Sequence, residues 1–316
     1  MNASSLLGVS ARYFLAPQES ILYLKFFGVR GSIAVPGGET LRYGGNTTCL
    51  EIRGDHGEVV ILDAGTGIVK LGHKLMTEQV ADINLFISHT HWDHIQGLPF
   101  FTPLFVPKNK ISVFGPIDSV SGVGIKERLS TQMDRHYFPV QQDDLQSNLV
   151  FNDLSEGQKI IVGSLTITCF LFNHPVTNFG YRIDDGCKSI VFTGDHEWPV
   201  QPHPAQDKTN GEAQAVIEKR RKETIDFMMD ADILVIDTAY TEEEYQTRHG
   251  WGHGTFDSSI LAGREANAKE VYLTHHEPGR TDSNLESIYL AALQRNNVTE
   301  ADPKFMLAKE GMEIHP

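Results

Sequence analysis

Within six residues, His89-Thr90-His91-Trp92-Asp93-His94 set three imidazoles and a carboxylate at the end of the apolar run Leu85-Phe86-Ile87. Side chains alternate along an extended segment, so His89 and His91 share one face, while Asp93 and His94 follow where the chain turns into a helix. Two groups of ligands can therefore point at two neighbouring metal ions. Close imidazoles repel one another when protonated and need partners when buried. Metal ions meet both demands, and a hydrogen-bonded polar turn explains the cluster less well.

A rigid scaffold commonly presents such chemistry at the end of a strand. Ile21–Val29, rich in aromatic and branched residues, reads as a first strand, followed by a paired couple at Cys49–Arg53 and Val59–Leu62. A short helix over Ile68–Met76 precedes the histidine-bearing strand, and Ile111–Phe114 adds another strand. Phe100, Phe101, Leu104 and Phe105 read as core or pocket wall. Between Gly115 and Asn148 the periodicity is weak, with one helical stretch near Gly124–Met133.

Strands then return at Val150-Phe151, Ile160–Val162, Leu165–Phe172, Phe179–Ile183 and Ser189–Thr193. Leu165–Phe172 ends in Asn173-His174-Pro175 and Ser189–Thr193 ends in Gly194-Asp195, so both polar residues emerge as His89 does. Pro199, Pro202 and Pro204 make Glu197–Gln206 irregular, and Gly211–Asp230 reads as a charge-rich helix. The 197–230 segment either caps the site or connects two halves of the fold, and its solvated charge pattern favours the connector. His196 and His203 lie there, outside the expected ligand set. Ile233–Ile236 and Val271–Thr274 are further strands, ending in Asp237-Thr238 and His275-His276. Helices follow over Phe256–Ala268 and Asn284–Arg295, and Lys304–Ala308 adds a closing strand. The glycines of Pro36-Gly37-Gly38 and Gly44-Gly45-Asn46 read as turns, since no P-loop and no GxGxxG fingerprint is present.

A chain of 316 residues with 40% hydrophobic content can bury a sizeable core. Without a Pro/Gly/Ser-rich linker, one domain over 1–316 is expected, with the polar start at 1–20 outside the ordered body. A formal charge of −14 repels polyanions, which disfavours long nucleic acid as a partner. Three scattered cysteines, Cys49, Cys169 and Cys187, indicate reduced thiols rather than disulfides or a CxxC site. Met1–Ser20 lacks a basic n-region, and no run reaches the roughly 18 apolar residues of a membrane span. A cytoplasmic location with no membrane association is expected.

The run His89-x-His91-x-Asp93-His94 after an apolar strand resembles the signature of the metallo-β-lactamase superfamily of dinuclear metallohydrolases. Asn173-His174-Pro175, Thr193-Gly194-Asp195 and Leu273-Thr274-His275 stand in the order of that family's remaining ligand motifs, so the resemblance spans about Phe26 to Thr281. It implies an α/β fold, the four-layer αββα sandwich. Carried over position by position, His89, His91 and His174 would hold the first metal; Asp93, His94 and His275 the second; Asp195 would bridge. Imidazole with carboxylate suits two Zn²⁺ ions, and Mn²⁺ or Fe tolerate the same set. Asp63 sits where the family places an Asp that orients a ligand, although a helix cap would use the same residue type.

No Cys falls on a matched ligand position, and the bridging Asp195 points to the phosphodiesterase branches of the family. Two ions about 3.5–4 Å apart can share a hydroxide able to attack phosphorus. Gly252-His253-Gly254-Thr255 resembles the catalytic histidine motif of ribonuclease Z-like phosphodiesterases, which implies phosphate contact or general-acid duty for His253. Asp93, His253 and His276 are thus the candidates for catalytic roles, with His276 an alternative donor and Arg280 a candidate phosphate partner. The basic, glycine-rich arm with which relatives grip transfer RNA has no counterpart in Gly115–Asn148, where Lys126, Arg128 and Arg135 are balanced by acids. A small phosphodiester such as a cyclic nucleotide is the expected substrate. Endonucleolytic processing of tRNA is the alternative, followed by thioester or lactam hydrolysis or metal binding without catalysis. A homodimer is implied only by analogy.

Overall fold

The computed structural model describes residues 22–118, 120–199 and 210–316. The expected polar start, and the stretch with Pro202, His203 and Pro204, lie outside the described residues. Apolar alternation builds strands β1 (Tyr23–Gly28), β2 (Cys49–Arg53) and β3 (Val59–Leu62), and then β4 (Asp82–Phe86), β5 (Lys110–Pro116) and β6 (Asn148–Leu154). A second series comprises β7 (Lys159–Val162), β8 (Leu165–Phe172), β9 (Asn178–Asp184), β10 (Ser189–Phe192), β11 (Ile233–Asp237), β12 (Glu270–Thr274) and β13 (Lys304–Leu307). A two-residue strand, β14 (Glu313–Ile314), pairs with β1; a segment this short carries no periodicity and was not expected from sequence.

The strands form two seven-stranded sheets, ordered β14-β1-β2-β3-β4-β5-β6 and β13-β12-β11-β10-β9-β8-β7. From β3 to β6 the first sheet is parallel, as is the second from β10 to β13. Parallel neighbours need crossovers, and helices supply them. Helix α1 (Gly67–Thr77) joins β3 to β4 and buries Ile68, Leu71 and Leu75, one stripe at helical spacing. After β4 the chain makes the single turn α2 (Trp92–Ile95), and α3 (Ile125–Gln132) links β5 to β6 through buried Ile125 and Leu129. Of the aromatic run after the histidines, Phe101 and Leu104 are buried, whereas Phe100 is exposed.

Helix α4 (Asn210–Met228) connects β10 to β11 and sets Ile225 and Met228 into the apolar layer over the second sheet. The short helix α5 (Glu242–Tyr245) precedes α6 (Phe256–Glu265) and α7 (Asp282–Arg295), which pack on that same outer layer. Thr255 and Thr281 cap α6 and α7, accepting from the Ser258 and Asn284 amides. Side chains of both sheets interleave in one core, where Phe86 stacks on Phe114 at 4.5 Å and meets the edge of Tyr181 at 5.3 Å. Helix, sheet, sheet and helix therefore form four layers, the αββα arrangement.

The carboxyl ends of β3, β4, β8, β10, β11 and β12 deliver Asp63, His89, His174, Asp195, Asp237 and His275, respectively, or stop a few residues before them. Two parallel runs facing each other across one core gather these termini at one edge. No helix among the described residues is long and apolar enough to cross a membrane.

Candidate metal centre

At that edge the seven expected ligands meet. His89, His91, His174 and Asp195 each offer an atom within 4.8 Å of the others, and Asp93, His94, Asp195 and His275 do the same. Asp195 belongs to both groups, and its two oxygens divide between them. Oδ1 lies 3.1 Å from His94 Nε2 and 3.3 Å from His275 Nε2, whereas Oδ2 lies 3.5 Å from His89 Nε2 and 3.9 Å from His174 Nε2.

These atoms fit divalent cations better than one another. His89 Nε2, His94 Nε2 and Asp195 Oδ1 are buried and have no hydrogen-bond partner, although His94 Nε2 and Asp195 Oδ1 stand 3.1 Å apart. Converging buried donors without hydrogen bonds are costly unless an ion joins them. Hard oxygen and borderline nitrogen donors, with no thiolate among them, suit Zn²⁺, Mn²⁺ or Fe. Cys49 and Cys169 are buried elsewhere and Cys187 is exposed, all three as free thiols.

The rings are aimed by their outer nitrogens. Asp63 Oδ2 accepts from His94 Nδ1 at 2.7 Å and from Ser88 Oγ at 2.8 Å, and its Oδ1 accepts from the Ser88 amide at 2.7 Å. Ser88 Oγ in turn lies 3.1 Å from His89 Nδ1, so one carboxylate orients two histidines and frees both Nε2 atoms. Asp63 therefore orients the rings rather than capping α1, whose N-cap is Thr66: both Asp63 oxygens are taken by Ser88 and His94. His174 Nδ1 donates to the Gly252 carbonyl at 2.9 Å. The Ser32 amide donates to Asp93 Oδ2 at 2.7 Å.

Backbone strain collects here. Ser32, Asp63 and His275 all hold φ near +60°, a region costing non-glycine residues about 1–3 kcal/mol each. Gly31 lies against the His275 ring; a Cβ there would come within 2.1 Å of His275 Cε1.

Charge follows the same division. Burial and the neighbouring His94 hold the His89 pKa well below that of ordinary histidine, and burial above all lowers His174 to about 4. Burial opposes charge on His94 and His275 too, but Asp195, with Asp93 and Asp63 around His94 and Asp237 beside His275, outweighs it and raises both. Metal ions bind neutral imidazole, so binding at these rings would compete with protons.

Asp237, given no role in the sequence analysis, forms a third group with Asp195, His253 and His275. Its Oδ2 accepts from His253 Nδ1 at 2.9 Å and from the His196 amide at 2.9 Å. Its position at the end of β11 was the available signal, since the other ligands sit at equivalent ends. His253 is brought in as expected, stacked on His275 with ring centroids 4.4 Å apart. His276 is not. Its ring is fully buried, turned away from the cluster, and bonded through Nε2 to the Ala308 carbonyl at 2.8 Å, with burial pushing its pKa down to about 3. A neutral ring facing the core cannot reach a leaving group, which corrects the assignment of His276 as a donor. Arg280 is likewise engaged, by Glu244 and by the Ala239 carbonyl. His196, expected outside the ligand set, belongs to none of the three groups.

A profile of the Beta-lactamase superfamily domain matches residues 58–276. The ribonuclease Z of Enterococcus faecalis is 24% identical over 258 residues, covering 72% of this chain and 79% of that protein. The metallo-beta-lactamase fold protein YhfI from Bacillus subtilis superposes with a TM-score of 0.66 at 18% identity, covering 94% of this chain and 99% of that one. Unliganded yeast PDE1 does so with a TM-score of 0.58 at 14% identity, over 94% and 100% of the two chains. Similarity to a ribonuclease runs against the expectation that charge disfavours long nucleic acid, because a net charge of −14 averages over the surface and does not fix the local field at a site. With its family profile, its sandwich and its paired histidine–aspartate groups, the chain belongs to the beta-lactamase superfamily of metal-dependent hydrolases.

Proposed function

We propose that the protein is a dinuclear phosphodiesterase whose preferred substrate is small, a cyclic nucleotide being the first choice. The observation that carries the dinuclear reading is Asp195, whose Oδ1 faces His94 and His275 while Oδ2 faces His89 and His174. Two divalent ions held there would activate water and neutralise phosphoryl oxygens. Everything else falls to the chain. Asp93, held by the Ser32 amide, keeps its carboxylate toward the His94–His275 group. His253, tied through Nδ1 to Asp237 and only partly exposed, keeps Nε2 for a proton that the departing alkoxide needs.

Two features favour a small substrate. Helix α3 lies back on its own sheet through Ile125 and Leu129. Arg128 is paired with Asp118 at 3.0 Å and Arg135 with Gln141 at 2.8 Å, so both are engaged within the chain. The second reading, cleavage of precursor tRNA, is favoured by the relatives that carry the name ribonuclease Z. A panel of 3′,5′-cyclic nucleotides, linear dinucleotides, precursor tRNA, a thioester and a β-lactam, ranked by kcat/KM, separates the two. Cyclic nucleotides should lead. Efficient tRNA cleavage without turnover of any cyclic nucleotide would replace the small-substrate reading by the ribonuclease one.

A further inference from the structure

Glu197 is nearly buried, lies two residues beyond Asp195, and has no part in the metal groups. Its Oε1 accepts from the Tyr245 hydroxyl at 2.7 Å and the Gly250 amide at 2.8 Å, and its Oε2 accepts from the Gly252 amide at 2.7 Å. Its backbone is bound as well. The Glu197 amide donates to the Asn173 carbonyl at 2.9 Å, and Asn173 Nδ2 donates to the Glu197 carbonyl at 2.8 Å. One residue thus joins three loops, those bearing Asp195, His174 and His253.

Glu197 holds the amides of the glycine loop, alongside the bond from the Trp251 amide to the Arg248 carbonyl at 3.1 Å. Gly250 and Gly252 both hold left-handed backbone, φ +84° and +91°, and a Cβ on Gly252 would come within 2.2 Å of His174 Nδ1. With its amide held by Glu197, Gly252 turns its carbonyl to His174 Nδ1 at 2.9 Å, which leaves His174 Nε2 facing His91 and Asp195. The next residue is His253. We infer that Glu197 is a positioning residue: through the 249–254 loop it sets the tautomer and aim of His174 and the placement of His253.

This inference rests on the dinuclear reading above, and it predicts an asymmetry that a general structural role does not. Gly252 O contacts a ligand of the His89–His91–His174 group alone, so loosening the loop should weaken that site and spare the Asp93–His94–His275 site. Glu197→Gln is the informative variant. It preserves volume, but three donors converge on the carboxylate and an amide must turn its NH₂ toward at least one of them.

Zn²⁺ titration of metal-free protein against a colorimetric chelator, with thermal unfolding measured in parallel, reads the effect without recourse to activity. In Glu197→Gln one of the two sites should weaken about 10–100-fold, the range for a lost orienting partner, with the other site unchanged, while the buried donors left unpaired lower the metal-free Tm. Turnover should fall while KM changes little. Equal weakening of both sites, or affinities matching the wild type, would overturn the proposal. Should Glu197→Gln not fold, Tyr245→Phe removes a single donor from the carboxylate; selective weakening of one site then supports the inference and an unaltered pair of affinities overturns it. Wild-type protein that binds fewer than two ions would instead sink the dinuclear reading itself.

Discussion

At the scale of single residues, the division of labour between His253 and the ligands is the sharpest consequence of the geometry. His253 Nδ1 is committed to Asp237 at 2.9 Å, while the nearest oxygen of Asp195 is 3.8 Å away. Replacing His253 by Ala should therefore cut turnover about 10²–10⁴-fold, the span for a lost general acid, and leave metal content intact by elemental analysis. Loss of metal in that variant would make His253 a ligand. Four of the candidate ligands, His89, His91, Asp93 and His94, were legible from spacing because they fall within six residues, whereas His174, Asp195 and His275 were matched through the order of the family's motifs. Their supports were read unevenly: Asp63 was singled out by its place in the family's order, with a helix cap as the other reading, whereas Glu197 meets Gly252 across 55 positions, a separation that no spacing rule reveals. His276 misled for the opposite reason: adjacency to His275 says nothing about direction, and a φ of +60° at His275 turns the following ring into the core.

At the scale of elements, strand termini were easy to read and their lateral order was not. Leu165–Phe172 and Cys49–Arg53 match the sequence expectation residue for residue, since alternation and flanking turns mark strands of that length. Which strands pair depends on contacts far apart in the chain, and β14, at two residues, has no pattern at all. The link between the sheets beneath the site is equally non-local. Tyr181 on β9 is fully buried and donates its hydroxyl to the Ile87 carbonyl at 2.6 Å, two residues before His89. Tyr181→Phe leaves that carbonyl buried and unpaired, at a cost of about 1–3 kcal/mol. Chemical denaturation should register this as a lower midpoint with an unchanged m-value. A midpoint equal to the wild type would show that the sheets are not coupled through this bond.

At the scale of the whole molecule, two facing sheets with parallel strands bring six strand ends to one edge, and the ligands of both metal groups follow from that topology rather than from any single motif. Strain at Ser32, Asp63 and His275 belongs to the same picture, because a fold of this size can hold a few residues in costly conformations where function needs them. The most direct test is to titrate Zn²⁺ into metal-free protein while following hydrolysis of an aryl phosphodiester. If Asp195 joins two ions into one working centre, activity should stay low through the first equivalent, rise with the second and level off at two per chain. Full activity in protein exhaustively stripped of metal, or a plateau reached at one equivalent, would contradict a dinuclear phosphodiesterase.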